Sequence, residues 1–237
     1  MRIINNLDQA QKLFLGKNRR SVNKNKDESI SETVEKILDQ VFTQGDVALI
    51  NLSKKFDGIT LEQIEISQSL IEQSIQSLND EIKNSIKFSY DRILHFHKQS
   101  TYKSWFNEKE GYGEKFTPIE KVGIYIPSNL VSTVLMTTVP AKVAGVRDIY
   151  ITSPPTDAGI PSPEILYAAK LTGVTNVFSI GGSQAIAALA FGTETIPKVD
   201  LICGPGNSYV TEAKKQVFGT VGIDGMYGPT ETLLLAD

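Results

Sequence analysis

Residues 176–219 read NVFSIGGSQAIAALAFGTETIPKVDLICGPGNSYVTEAKKQVFG. Two short runs rich in Val, Ile and Phe each break at a glycine turn and pass into a segment with helical character. The first is NVFSIGG (176–182), followed by SQAIAALAFGTETI. The second is KVDLICGPG (198–206), followed by NSYVTEAKKQVFG. A strand that is apolar on both faces and hands over to a helix is the unit of a parallel sheet covered on both sides.

Working outward, the same unit recurs. KVGIYIP (121–127) leads into SNLVSTVLMTTVPAKVAG, and RDIYITSPP (147–155) leads into PSPEILYAAKLTG; TETLLLAD (230–237) closes the series as a fifth strand. The repeat of roughly 25–30 residues is that of βαβ units, whose crossovers are right-handed. The expectation is an α/β fold: a doubly wound, Rossmann-like parallel sheet over 119–237, preceded by a helical N-terminal region over 1–118.

The N-terminal region has another texture, polar and rich in Lys, Asn, Gln, Ser and Glu. In SISETVEKILDQVFTQ (29–44), Ile30, Val34, Ile37, Leu38 and Val41 recur at steps of three or four, which places them on one helical face. A second helix is expected in VALINLSKKF, stopped by Asp57-Gly58. A third runs from about Leu78 to Ser100, with Ile82, Ile86, Ile93 and Phe96 as its inner stripe. Between them LEQIEIS reads as a short strand. Such helices need a surface to pack on, and this region has little sheet of its own, so it is expected to form part of an incomplete domain.

The 237 residues are 41% hydrophobic and 22% charged, ordinary for a globular protein. A net charge of -3 argues against nucleic acid as a partner. No apolar run reaches the ~18–20 residues a membrane helix needs, and the start is too polar for a secretory signal, so a cytoplasmic protein without a membrane partner is expected. Cys203 is the single cysteine, and His95 and His97 are the two histidines. Two residues apart on a helix, these histidines point to different sides, unlike a metal pair; they read as one packed and one solvated side chain near a helix end. A protein zinc site draws on three or four His, Cys or carboxylate ligands, which this chain is poorly equipped to supply. No metal ligand is assigned within it.

In open parallel sheets, ligands bind beyond the carboxyl ends of the strands. Here those turns read IPSN, SPP, GGSQ and GPGN. The glycines of GGSQ allow close approach of a ligand to the backbone at a helix N-terminus, where amides are available to an anion. Gln184 projects from the first turn with a donor and an acceptor; Asn207 stands at the corresponding cap. Each has a plainer reading, Asn207 as an N-cap and Gly-Gly as a turn. Two such turns on neighbouring strands point to a nucleotide or phosphate site. The GxGxxG fingerprint, with its acidic residue about 20 positions on, is absent. Two classes stay open on the residues alone: a nucleotide-dependent enzyme and a ligand-binding α/β domain without chemistry.

VGIYIP, STVLMTTVPAKVAGV, the 181–219 block, VGID and GPTETLLLAD, together with GDVAL, KKFDG and RILHFHKQ, resemble the histidinol dehydrogenase family in order and nearly in spacing. The resemblance implies a homodimeric, zinc-dependent enzyme that oxidises L-histidinol through the aldehyde to L-histidine, each of two NAD molecules taking a hydride. It implies NAD contacts at Tyr125, Gln184 and Asn207, and a substrate contact at Thr230, where the family's GPSE reads GPTE. Tyr125 also reads as a buried strand aromatic, and Thr230 as an ordinary strand threonine.

The chain departs from the family at three places. Ser128 and Asn129 stand where glycines are usual, in a shortened loop, and Gly225-Met226-Tyr227 precedes GPTE with a bulkier run. The family's zinc ligands and its Glu-His proton-transfer pair fall, by resemblance, beyond Asp237, so no catalytic residue is assigned within the chain. The expectation is therefore an N-terminal portion, inactive alone. The alternatives are a non-catalytic nucleotide-binding remnant and a relative oxidising another small alcohol.

Overall fold

The computed structural model describes residues 24–226 except Asn129, and residues 6 and 8 ahead of them. Five parallel strands form one sheet: β3 (Lys121–Tyr125), β4 (Asp148–Ser153), β5 (Asn176–Ser179), β6 (Leu201–Cys203) and β7 (Gly222–Ile223), in the order β5-β4-β3-β6-β7. The chain thus builds outward from β3 to β5, then returns to the other side of β3 for β6 and β7. Four of the five expected strands are where their apolar runs lie. The fifth observed strand is the Gly-Ile of VGID, while 230–237 and Thr230 lie outside the described residues.

Alternation along the strands sends one set of side chains to each face. Val122, Ile124, Ile149, Ile151 and Val177 join a core with α4 (Val131–Val143) and α5 (Pro163–Thr172). Tyr125, Tyr150, Phe178 and Ile202 face the opposite core, with α6 (Gly182–Phe191) and α7 (Ser208–Val217). Six consecutive residues of α6, Ala185 to Ala190, are buried. That helix is apolar all round because protein covers it on every side.

The N-terminal helices supply that cover. The helix α1 (Lys24–Phe56) packs on α6 and α7, with Val34, Ile37, Leu38 and Val41 buried in the same core as Tyr125 and Phe178. It is two helices joined at Gly45, whose φ of 52° and ψ of -131° leave the helical region. The carboxylate of Glu194 occupies the space a Cβ would need there. Asp46 follows the kink, its N–H donating to Glu194 (2.8 Å) and its carboxylate accepting from Thr195. This join accounts for GDVAL.

On the other face, α2 (Gln68–Gln76) packs on α5, and α3 (Asp80–Gln99) packs on α4 and α5. Ile86 of α3 is buried and Ile93 half-buried, but Phe96 is 65% exposed, so the expected inner stripe ends a turn early. His95 is exposed and His97 half-buried against Phe96. LEQIEIS contributes one antiparallel bridge, Glu65 to Phe178, at the edge of β5 rather than a strand. A small hairpin, β1 (Trp105–Asn107) with β2 (Tyr112–Glu114), links the helices to the sheet. No helix among the described residues is long and apolar enough to cross a membrane.

Candidate functional site

The chain reverses direction across the sheet between β3 and β6, so the turns that leave these two strands diverge and open a crevice. Such switch points are where α/β sheets bind ligands. A cavity of about 780 Å³ lies there, of a size suited to a cofactor. Tyr125, Pro127 and Ser128 line it from the end of β3, Pro154 from β4, Gly182 to Gln184 from the start of α6, and Pro205 to Asn207 from the turn after β6. Tyr125, Gln184 and Asn207 are therefore brought together. Thr230 and Asn129 lie outside the described residues.

Tyr125 is 5% exposed, and its hydroxyl accepts from the Gly182 N–H at 3.4 Å. Burial pushes its phenol above the ordinary value; the Gly182 hydrogen bond opposes the shift and Asp57 adds to it. Gly182 has a φ of 65°, and a Cβ there would meet the Gln184 amide. The N-cap of α6 is Gly181, which has no side chain to cap with, so apart from the Gly182 N–H that Tyr125 accepts from, the helix presents its N-terminus to the cavity. Gln184 is 2% exposed and lines the cavity, and no hydrogen bond of its side-chain amide is found among the described residues.

The second turn is stiffer. Asn207 caps α7, its Oδ1 accepting from Tyr209 N (3.0 Å) and Val210 N (3.1 Å), as its plainer reading expects. Its Nδ2 donors remain for other work. Gly204 has a φ of 113°, and a Cβ would fall 2.1 Å from the Tyr125 carbonyl oxygen, so the two strand ends touch backbone to backbone. Lys214, 3% exposed on α7, donates to Gly204 O at 2.9 Å and pairs with Asp224, whose other oxygen accepts from Gly204 N at 2.8 Å. Both backbone groups of Gly204 are thereby held by one buried ion pair. Ser183 Oγ donates to Tyr209 O at 3.2 Å and joins the two helix starts.

The lining residues Thr33, Ile37, Phe56 and Asp57, all from the N-terminal region, escaped the sequence reading as site residues. Ser53 Oγ donates to Asp57 Oδ2 at 3.1 Å. Burial raises the Asp57 carboxyl above its ordinary range, and that hydrogen bond opposes the shift. The available signal was KKFDG, an Asp-Gly after an apolar residue at a helix end, which spacing alone reads as a helix stop.

Metal ligation has no support among the described residues, where no three His, Cys, Asp or Glu side chains cluster to hold an ion. Cys203, at the end of β6, has its thiol pushed up to about 11 by burial, with Asp224 adding to the shift and Lys214 opposing it.

The family model of histidinol dehydrogenase matches residues 19–237. The histidinol dehydrogenase of Methanocaldococcus jannaschii is 47% identical over 225 residues, covering 91% of this chain and 52% of that protein. The Synechococcus histidinol dehydrogenase is 45% identical over 213 residues, 86% of this chain and 49% of that protein. The crystal structure of histidinol dehydrogenase from Elizabethkingia anophelis superposes with a TM-score of 0.80 at 39% identity, over 84% of this chain and 48% of that one. The chain spans about half the length of the curated relatives it matches. With sequence and fold in agreement over nearly all of its length, the chain belongs to the histidinol dehydrogenase family.

Proposed function

We propose that the switch-point cavity binds NAD, and that these 237 residues supply the nucleotide-binding part of an L-histidinol dehydrogenase, which oxidises L-histidinol through the aldehyde to L-histidine. The supporting observation is the convergence of Tyr125, Gln184 and Asn207 on one cavity from the ends of β3, β5 and β6. Its residues suit a dinucleotide: a helix N-terminus whose cap residue is a glycine for a pyrophosphate, the Gln184 amide at the cavity wall, and a rigid turn carrying Nδ2 donors.

When bound, NAD is the acceptor of hydride. The chain's own residues bind and orient it. The α6 amides and the Gln184 amide hydrogen-bond its polar groups, and Asn207 donates from a side chain already fixed by its capping bonds. Tyr125, its phenol raised by burial, stays neutral at physiological pH and serves as a hydrogen-bonding group rather than a base. No histidine lines the cavity. The described residues do not fit a zinc ion, and no step through zinc is assigned to them. By family likeness Thr230 offers its hydroxyl to the alcohol substrate, and the complete enzyme is a homodimer.

Calorimetric titration with NAD tests the reading. The chain binds NAD, and Gln184→Ala abolishes binding while the circular-dichroism spectrum stays that of a folded chain. Unaltered binding in that variant refutes the assignment. In a coupled assay with L-histidinol and zinc, NAD reduction is expected only after the remaining part of the enzyme is added; turnover by the 237 residues alone refutes the division of labour.

A further inference from the structure

Rossmann-type sites place an acidic residue at the end of the strand beside the first, where it accepts hydrogen bonds from the adenosine ribose. The corresponding strand here is β4, next to β3 in the sheet, and it ends in Ser153-Pro154-Pro155, with no acid. The cavity nevertheless contains one carboxylate. Among the described residues that line it, Asp57 is the sole charged side chain, with no Lys, Arg or His. We infer that Asp57, contributed by the N-terminal helices, accepts the hydroxyls of the cofactor's adenosine ribose and thereby selects NAD over NADP, an inference that depends on the cavity being the NAD site.

The chemistry fits one ligand group and excludes another. A vicinal diol brings two neutral donors, matched by a carboxylate with about four acceptor positions. Ser53 Oγ occupies one of them, and the Asp57 N–H donates to Ser53 O at 2.8 Å, so side chain and backbone are both fixed just beyond the end of α1. Asp57 and Tyr125 line the same cavity, and the carboxylate adds to the upward shift of the Tyr125 phenol that burial causes. A 2′-phosphate in place of the hydroxyl would bring up to two negative charges against this carboxylate, with no cation among the described lining residues to offset them. The nearest lysines in sequence, Lys54 and Lys55, do not line the cavity, and Lys55 Nζ lies 5.1 Å from the centre of the Phe56 ring. The acid missing from the sheet is thus replaced by one from a helix that the sheet's own strands do not supply.

Titration of the full 237-residue chain with NAD and with NADP tests this, using wild type, Asp57→Ala, Asp57→Asn and Gln184→Ala, each checked for an unchanged thermal melt. Wild type is expected to bind NAD at least about tenfold more tightly than NADP. Asp57→Ala weakens NAD by about tenfold or more, the scale of a hydrogen bond to a charged group, and brings the two affinities within about threefold. Asp57→Asn keeps an acceptor and loses the charge, so it weakens NAD less and strengthens NADP. Wild-type NAD affinity with an unchanged NAD:NADP ratio in Asp57→Ala overturns the inference. If Gln184→Ala loses NAD in the same series, the cavity assignment stands and only the role of Asp57 falls. If wild type binds neither nucleotide, both readings fall together.

Discussion

Removing the Lys214 ammonium tests how the turn after β6 is held. The side chain is 3% exposed and its partner Asp224 is 21% exposed, and together they engage both backbone groups of Gly204. Lys214→Met keeps the aliphatic stem but takes the cation from the Asp224 carboxylate and the donor from Gly204 O. Breaking a buried pair from one side costs about 3–5 kcal/mol. The partial exposure of Asp224 lets water soften the loss, so the lower end, about 3 kcal/mol, is expected. For a chain of this size that is a fall of about 6–12 °C in melting temperature, read by circular dichroism. The double variant Lys214→Met/Asp224→Asn should recover at least about 1 kcal/mol, because the asparagine oxygen still accepts from Gly204 N while no charge remains buried. A single variant melting within about 2 °C of wild type would refute the reasoning and make the pair a solvated surface contact.

Two further outcomes follow from the same region. Asn207→Asp preserves the Oδ1 cap, so stability should stay within about 0.5 kcal/mol, whereas Asn207→Ala should cost about 1 kcal/mol in urea unfolding. Both lose the Nδ2 donor, and both should weaken NAD in the calorimeter; intact NAD binding in Asn207→Asp would show that the residue is a cap alone. With its thiol at about 11 against an ordinary 9.0, Cys203 should have about a hundredfold less thiolate at pH 8 than the unfolded chain, before any steric protection. Iodoacetamide should therefore label the native chain far more slowly than the urea-unfolded one, and equal rates would contradict the burial. Because the folded thiol holds its proton more tightly, this group also removes stability as pH climbs from about 9 towards 11 and has no effect below that window.

How much of the fold was legible depended on burial. Strands β3 to β6 are covered on both faces and so appear as continuous apolar runs that no other element imitates. The hairpin of β1 and β2 is largely exposed and carries no alternation to read, and β7 is two residues long. The helix α2 was missed because Ile71 is its one buried residue, although Ser67 accepting from the Leu70 N–H is a cap signal of the ordinary kind. Phe96 has the correct helical phase, but periodicity reports the face of a helix and says nothing of where its neighbour ends. LEQIEIS has strand-like residues yet pairs through a single bridge, since it meets only the edge of β5.

The site divides along the same physical line. Gln184 and Asn207 stand at strand-end turns, which converge by construction in a parallel sheet, so local reading plus topology places them on one cavity; Tyr125 entered only through the family resemblance. Thr33, Ile37, Phe56 and Asp57 reach the cavity only through the docking of α1 on α6 and α7, a long-range event that spacing does not encode. That docking is held by named contacts far along the chain: Ser31 Oγ to Glu212 at 2.9 Å, Gln216 to Ser31 O at 3.1 Å, and the Asp46 grip on Glu194 and Thr195. A site with an uncapped helix N-terminus and no acid on its strands lacks a hydroxyl acceptor until such a helix arrives. The N-terminal helices therefore complete the cavity as well as shelter α6, and on the proposed NAD reading its affinity should follow the docking of α1 as closely as it follows the glycine turns.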